Sequence, residues 1–598
     1  MCLGRTALCE TVARTVGRGP GLKTVRSGNR TGGTNPFATW RAVRASVATK
    51  DESVPIKTEV LDSHEAAATG AGALQRHLDW TGAFWIASGV PVFVLFTVGA
   101  VAATVGQPAW LIWILSILMG FVQSFTYAEI SGLFPHKSGG TSVYGAVAWV
   151  RYSKFIAPIS VWCNWLGWSP LLALGTSLAA AYALSALFPA DALINTWSVH
   201  LVDLGFVQKD LTLRINSQFI FGTILLLITF AIQHFGVARA AKLQKIMGII
   251  SVLVLLIIGV VPILTGDMPR NHFLPLLPLA HDAQGNVIFG SWNAAGWSLA
   301  MGGMFFAGWS TYGFEGAVCY TREFKDPKRD TFKAIFYSGL LCLLIFSLVP
   351  LTFQGAVGLD GLLDKTIYDG SGVGLAMAKI VGGGVIVTNI IIVVLILSLV
   401  LMVTTAMMGS SRTLYQASVD GWLPRYLSHV NKHGAPTRAM WTDLGFNLVL
   451  LLMSDYLVII AVSGVCYFFF TFLDLQAGWM HRMDRPDWER PFRCSAWLLG
   501  VGAVFGFVNM AFVGAGADLW GAHTLRNGLI TVFLIIPVFL FRHYVQDRGK
   551  FPDVMLEDMN LCRGTQVETR AGVWPYLALV LCALVIWGAH ALAVLPPP

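Results

Sequence analysis

The chain of 598 residues is 55% apolar and only 12% charged, with 61 glycines and a mean hydropathy of +0.64. Soluble domains average about 25% charged residues, so half that share cannot coat several soluble domains over this length, and a polytopic membrane protein fits. The formal charge of +8 is concentrated in residues 1–50, which hold nine Lys and Arg against one acid, Glu10, so no nucleic-acid footprint is indicated.

Residues 1–79 form a basic tail, expected to be disordered and cytosolic, and it has no apolar h-region, so it is not a secretory signal. Its Arg-rich start resembles an organelle transit peptide. A basic arm beside anionic lipid and a mispredicted translation start account for it equally.

A helix needs about 20 apolar residues to cross the ~30 Å hydrocarbon layer. Such runs occur near 84–105, 110–133, 155–187, 217–236, 244–265, 297–320, 334–357, 383–409, 437–454, 456–480, 496–516, 525–545 and 573–595. Residues 80–545 thus form a core of twelve spans, 546–572 a cytosolic loop, and 573–598 a possible thirteenth span and C-terminus. One set of alternate loops carries 24 Lys and Arg and the other set six. Basic loops stay on the cytoplasmic side, which places the N-terminus inside. The nine cysteines are scattered without a C-x-x-C pair, and Cys163, Cys319, Cys342, Cys466 and Cys582 fall inside apolar runs, so neither a disulfide framework nor a zinc site is indicated.

Hydrophobic segments interrupted by Gly or Pro at matching positions point to a transporter's binding site. The first span reads Ala87-Ser88-Gly89-Val90-Pro91, and the sixth, five spans later, carries Gly302, Gly303, Gly308, Gly313 and Gly316 together with Glu315. Gly also serves close helix packing, and this alternative is weaker for the sixth span, where an ionisable side chain within the run is functional by default.

Four separated motifs now carry a resemblance. They are Ala128-Glu129-Ile130-Ser131-Gly132-Leu133-Phe134-Pro135 with Ser138-Gly139-Gly140; Trp309-Ser310-Thr311-Tyr312-Gly313-Phe314-Glu315 with Arg322-Glu323 and Lys325-Asp326-Pro327; Ser411-Arg412-Thr413-Leu414-Tyr415 with Asp420-Gly421-Trp422-Leu423-Pro424 and Gly434-Ala435-Pro436; and Arg490-Pro491-Phe492-Arg493. In this order they resemble the amino acid-polyamine-organocation transporter superfamily over roughly residues 80–545. The resemblance implies an all-α polytopic membrane protein with a 5+5 inverted repeat, 12–13 transmembrane helices, and broken first and sixth helices. It implies that Ser88, Gly89 and Val90 offer N–H groups to a substrate carboxylate, and that carbonyls around Ala307, Gly308 and Trp309 take the ammonium. Trp309 would cover the substrate, Ser310 and Gly313 would belong to the same site, and Glu315 would serve gating or protonation.

Two positions depart from the pattern. Ala87 replaces the first Gly of a Gly-x-Gly break, and Ser251 stands where many proton-coupled or sodium-independent members place a Lys. Thr404 and Thr405, with first-span carbonyls near Ser88, are a possible sodium site, since hard cations favour oxygen. The alternative is that both threonines bond to carbonyls one turn back.

Among other residues, Trp162, Asn164, Trp165 and Trp168 crowd the third span, with Trp165 a candidate for gating and belt packing the alternative. Asp474 is expected to pair with a basic helix end. Glu129 and Arg412 either cap helix ends or form an inner charged gate. The runs Arg322–Lys333 and Arg482–Arg493 read as positive-inside loops.

The expected function is a secondary active permease that moves amino acids by alternating access, ion-coupled as a symporter. The alternatives are a polyamine or choline-like amine carrier, or a transporter-like nutrient receptor. No enzyme activity and no cofactor are indicated. The expected partners are a small amino acid or amine, a coupling proton or sodium ion, and the lipid bilayer of the plasma membrane, with no nucleic acid.

Overall fold

Inside hydrocarbon every backbone N–H and C=O must find its partner within the protein, so long apolar runs become helices. The computed structural model describes residues 76–594 apart from 190, 206–210, 283, 285, 369, 371, 455 and 560–568, together with 69, 70 and 74. The first part of the tail, residues 1–68, lies outside the described residues.

The first span comprises α1 (Trp80–Ala87) and α2 (Phe93–Val105), and the second is α3 (Ala109–Gly132). A short helix α4 (Thr141–Trp149) leads to the third span, α5 (Ala157–Trp168) and α6 (Leu171–Leu187). Then come α7 (Ser217–His234), α8 (Val237–Thr265), α9 (Ala294–Thr311) and α10 (Pro327–Leu362). The second half continues with α11 (Val373–Ile380), α12 (Val385–Val419), α13 (Thr437–Leu451), α14 (Tyr456–Asp484) and α15 (Ala496–Gly516). The chain ends in α16 (Thr524–Phe533), α17 (Ile535–Leu540), α18 (Asp553–Asp558) and α19 (Trp574–Leu592).

All thirteen expected segments are helical. Eleven are long and apolar enough to cross a membrane by length and composition. The other two are α9, rich in Gly and polar residues, and α13, which has 15 residues.

Among the described residues the strands form three two-stranded ribbons. In one of them Thr69–Gly70 pairs in parallel with His429–Val430. The end of the tail is also bound, because Leu78 donates its N–H to Glu323 O (3.0 Å) and accepts from Lys325 N–H (2.8 Å).

Helix starts follow local chemistry. Asp79, Asn216 and Asn293 each accept an N–H from three residues ahead, satisfying an orphan donor of the first turn.

Four of the five pairs of spans five apart pack on each other: α2 on α9, α3 on α10, α6 on α12 and α7 on α13. Large apolar side chains such as Ile224, Leu253, Leu344, Ile390 and Val580 point outward, whereas Glu315, Asp443 and Asp474 are buried. Burial is therefore reversed relative to a soluble protein, as lipid contact requires.

The thirteenth span, α19, packs on α15 through small residues. A methyl group at Gly514 would lie 2.4 Å from Ile586 O and 3.0 Å from Ala589 Cβ. Gly514→Val is expected to destabilise the bundle by about 1–3 kcal/mol through overpacking. Thermal unfolding in detergent checks this, and an unchanged Tm would show that α19 does not dock here.

Candidate functional site

The first span breaks where its sequence predicts. Ser88 and Gly89 form a turn after α1, and Val90–Val92 form one turn of 3-10 helix before α2. Pro91 cannot donate to the helical ladder, and the last carbonyls of α1 lack intrahelical partners. One partner comes from the eighth span, where Thr405 Oγ1 donates to Ile86 O (2.6 Å) and lies 3.0 Å from Leu401 O on its own helix. This contact requires glycine at 89, because a Cβ there would lie 2.7 Å from Thr405 Oγ1 and 3.2 Å from Met402 Cα. Ser88 turns its hydroxyl back onto Trp85 O (2.6 Å).

The sixth span breaks later than expected. Helix α9 is regular through Ala307, Gly308, Trp309 and Ser310, and the Gly308 carbonyl accepts the Tyr312 N–H. The change comes after Thr311, where Tyr312–Glu323 runs as 3-10 helix. The carbonyls around Ala307–Trp309 are therefore not at the break. The glycines within α9 serve packing instead: a methyl group at Gly308 would lie 2.7 Å from the Phe468 ring.

Both breaks converge on one small cavity of about 10 Å³, room for about a single water molecule. Ile86, Ala87 and Val90 line it from the first span, and Gly313, Gly316 and Tyr320 from the sixth. Trp168 closes it from the third, and Thr405 and Gly409 from the eighth. Gly313 and Gly316 admit the Trp168 indole, whose atoms lie 3.4 Å and 3.0 Å from where their side chains would begin. Trp168 Nε1 donates to Glu315 Oε1 (2.8 Å), and Tyr467 OH stands 3.5 Å from the same oxygen. The other carboxyl oxygen, Oε2, is buried without a hydrogen-bond partner among the described residues.

Trp309 lies one turn before the cavity, packed on Phe93 with ring centroids 5.7 Å apart. Ser310 bonds to Phe306 O (3.2 Å) on its own helix. Trp165 faces away from the Glu315 cluster and donates Nε1 to Asp443 (2.9 Å). Ser251 pairs with Ser398 Oγ (2.6 Å). The fifth-span residue that touches the break is Gly248, whose Cβ would lie 2.3 Å from Ser88 Oγ. Thr404 donates to Val400 O (2.5 Å), one turn back. Thr404 thus bonds one turn back on its own helix, whereas Thr405 reaches a first-span carbonyl beside Ser88. Asp474 has no basic partner among the described residues and accepts from Ser160 Oγ (3.1 Å).

Behind the Tyr320 ring that lines the cavity lies an ion pair. Arg412 holds Glu323 through two hydrogen bonds (2.5 and 3.1 Å), and its guanidinium lies over the Tyr320 ring at 5.2 Å. Both partners are buried. The Ser138-Gly139-Gly140 loop packs beside this pair, with Gly139 N–H donating to Cys319 O and φ of +109° and +92° at the two glycines.

A second buried cluster lies beneath. Lys137 Nζ reaches Asp420 (2.6 Å) and Asp558 (2.7 Å), and His136 reaches Asp558 (2.8 Å). Burial would push the Lys137 ammonium down, but the two carboxylates hold it above its ordinary value. Glu129 pairs with Arg482 (2.6 Å) and Arg490 (3.2 Å). Arg322, Arg485 and Arg490 are likewise withdrawn from solvent, so the two basic runs do more than mark a topological side.

Sequence reasoning missed Asp443, Gly248, Tyr320 and Gly409. For Gly409 an available signal was helical spacing, because Thr405 and Gly409 are an i, i+4 pair on one face of α12.

The amino acid permease profile matches residues 78–539, more than half of the chain. The chain belongs to the amino acid permease family. The branched-chain amino acid permease BcaP of Bacillus subtilis is 25% identical over 72% of this permease and 86% of its own length. BcaP of Lactococcus lactis is 22% identical over 58% of this chain and 69% of its own. The polyamine transporter PUT1 of Oryza sativa is 24% identical over 33% of this chain and 35% of its own length.

Removing Arg412 would leave Glu323 buried and uncompensated, at a cost of about 3–5 kcal/mol. In Arg412→Ala, Cys319 above the pair is expected to react faster with a water-soluble maleimide, followed by peptide mass spectrometry. Unchanged labelling in a folded variant would mean that the pair does not close this path.

Proposed function

We propose that this permease carries small apolar amino acids, with branched side chains foremost, by alternating access around the cavity between the first-span break and the Tyr312–Glu323 segment. The observation that carries this reading is the convergence of the two broken spans on one small space with mostly apolar walls: Ile86, Ala87, Val90, Trp168, Gly313 and Gly316. Trp309, packed on Phe93, lies one helical turn before Gly313, and the Arg412–Glu323 pair lies behind Tyr320. A ligand enters only when the first and sixth spans move away from the third and eighth, the parting that alternating access requires. Two relatives that match over more than two thirds of their own length are branched-chain amino acid permeases.

The orientation follows the basic loops, with the N-terminus cytosolic and the plasma membrane as the site of action. Glu315 is the proposed proton-coupling group, because its carboxyl is buried, half-partnered and beside the cavity. Thr404 and Thr405 are more consistent with holding backbone than with holding sodium.

A second reading has its own support. Glu315, Asp443 and Asp474 are buried acids without a basic partner among the described residues, and buried carboxylates favour a cationic amine substrate. Polyamine transporters are among the relatives.

Uptake by the purified full-length protein in liposomes decides between them. Leucine, isoleucine and valine are expected to compete for labelled leucine, and competition by putrescine and spermidine alone would establish the amine reading. A bulky side chain at 313 would collide with Val90 and Trp168, so Gly313→Val is expected to abolish uptake while leaving the protein folded. Normal uptake by this variant would move the site elsewhere.

Glu315→Gln is expected to keep exchange and lose accumulation driven by a pH gradient, with sodium gradients ineffective in both proteins. Accumulation driven by sodium would overturn the assignment of Glu315.

A further inference from the structure

The third span is broken at Ser169-Pro170, between α5 and α6. The first amide groups of α6 have no acceptors within their own helix. One acceptor comes from the ninth span, since Asn447 Oδ1 takes the Ala173 N–H (3.0 Å) and its Nδ2 donates to Ser169 Oγ (2.8 Å). One turn earlier on the same face of α13, Asp443 Oδ1 accepts from Trp165 Nε1 (2.9 Å) and Ser169 Oγ (2.5 Å). Its other oxygen accepts from the Ser410 hydroxyl of α12. Asp443 is fully buried. Three neutral donors from two other spans hold it, and no Lys or Arg pairs with it among the described residues.

Two of these donors are sequence neighbours of cavity walls. Ser169 follows Trp168, and Ser410 follows Gly409, and both Trp168 and Gly409 line the cavity. We propose that Asp443 is a positioning residue that fixes the third-span and eighth-span walls at one separation and so sets the width of the substrate cavity. The proposal rests on that cavity being the substrate site. The carboxylate suits the task because it only accepts, so three donors can converge on its two oxygens without competition. A carboxamide keeps one accepting oxygen for Trp165 and Ser169 and forces the Ser410 hydroxyl to turn. An alanine releases both walls.

The test is uptake of tritiated leucine by the full-length protein in liposomes, competed with phenylalanine. Asp443→Ala is expected to raise KM about tenfold with the maximal rate within about twofold, a loss of ground-state binding. It is also expected to narrow the preference for leucine over phenylalanine, and Asp443→Asn is expected to recover most of both. A folded Asp443→Ala with KM and preference unchanged overturns the proposal. If that variant does not fold, Ser169→Ala and Ser410→Ala each remove one donor and carry the same expectation in smaller measure; no change in KM in either overturns it.

Trp168→Phe separates this proposal from the reading beneath it. If KM is unmoved by Trp168→Phe, the cavity is not the substrate site. If Trp168→Phe moves KM while the Asp443, Ser169 and Ser410 variants do not, the cavity stands and the positioning role falls. Hydrogen exchange across residues 166–176 needs no substrate. It is expected to rise in Asp443→Asn and more so in Asp443→Ala, and unchanged exchange in both overturns the proposal.

Discussion

The structure depends on one constraint: a helix interrupted inside hydrocarbon must find new partners for its freed backbone groups, from neighbouring side chains or from a local 3-10 turn. Two of the breaks are answered by a residue on another span. Thr405 takes Ile86 O at the first break, and Asn447 takes Ala173 N–H at the third. Similar cross-span bonds recur where no helix is broken, with Gln233 on Thr404 O, Trp149 on Leu473 O and Trp520 on Gly302 O. The breaks make a cavity possible, and the side chains that repair them decide which spans form its walls.

Charge obeys the same constraint. Twelve percent charged residues leave few to spare, and many lie buried beneath the cavity. Arg412–Glu323, Lys137 with Asp420 and Asp558, and Glu129 with Arg482 and Arg490 each join segments distant in sequence. Breaking a buried pair costs far more than breaking an exposed one, so these pairs hold the basic face closed with appreciable energy. Asp558 belongs to α18, beyond the family match, which brings the segment after the twelfth span into that closure.

The first break was readable because Gly and Pro act locally: proline removes a donor wherever it stands. The sixth was misplaced because its glycines act through neighbours. Gly308 yields space to Phe468 and leaves its helix intact, while the 3-10 run begins at Tyr312. In the fifth span Gly248 meets Ser88 at close range, while Ser251, one turn later, pairs with Ser398. Asp443 was passed over although an acid within a span is a signal in itself. Its meaning lies in Ser169 and Ser410, which no sequence spacing connects to it.

Length, hydropathy and the asymmetry of basic loops follow from transfer free energy, which sums residue by residue along the chain. The sequence alone therefore determined the membrane class, the thirteen helical segments and the first break. Which side chain answers which freed backbone group depends on distances between spans that are hundreds of residues apart. The tertiary structure alone decided that Thr405 and Gly89 meet, that Trp168 rests on Gly313 and Gly316, and that the cavity lies beyond Trp309. The reason is packing at contact distance, where a single methyl group is permitted or forbidden by its neighbours.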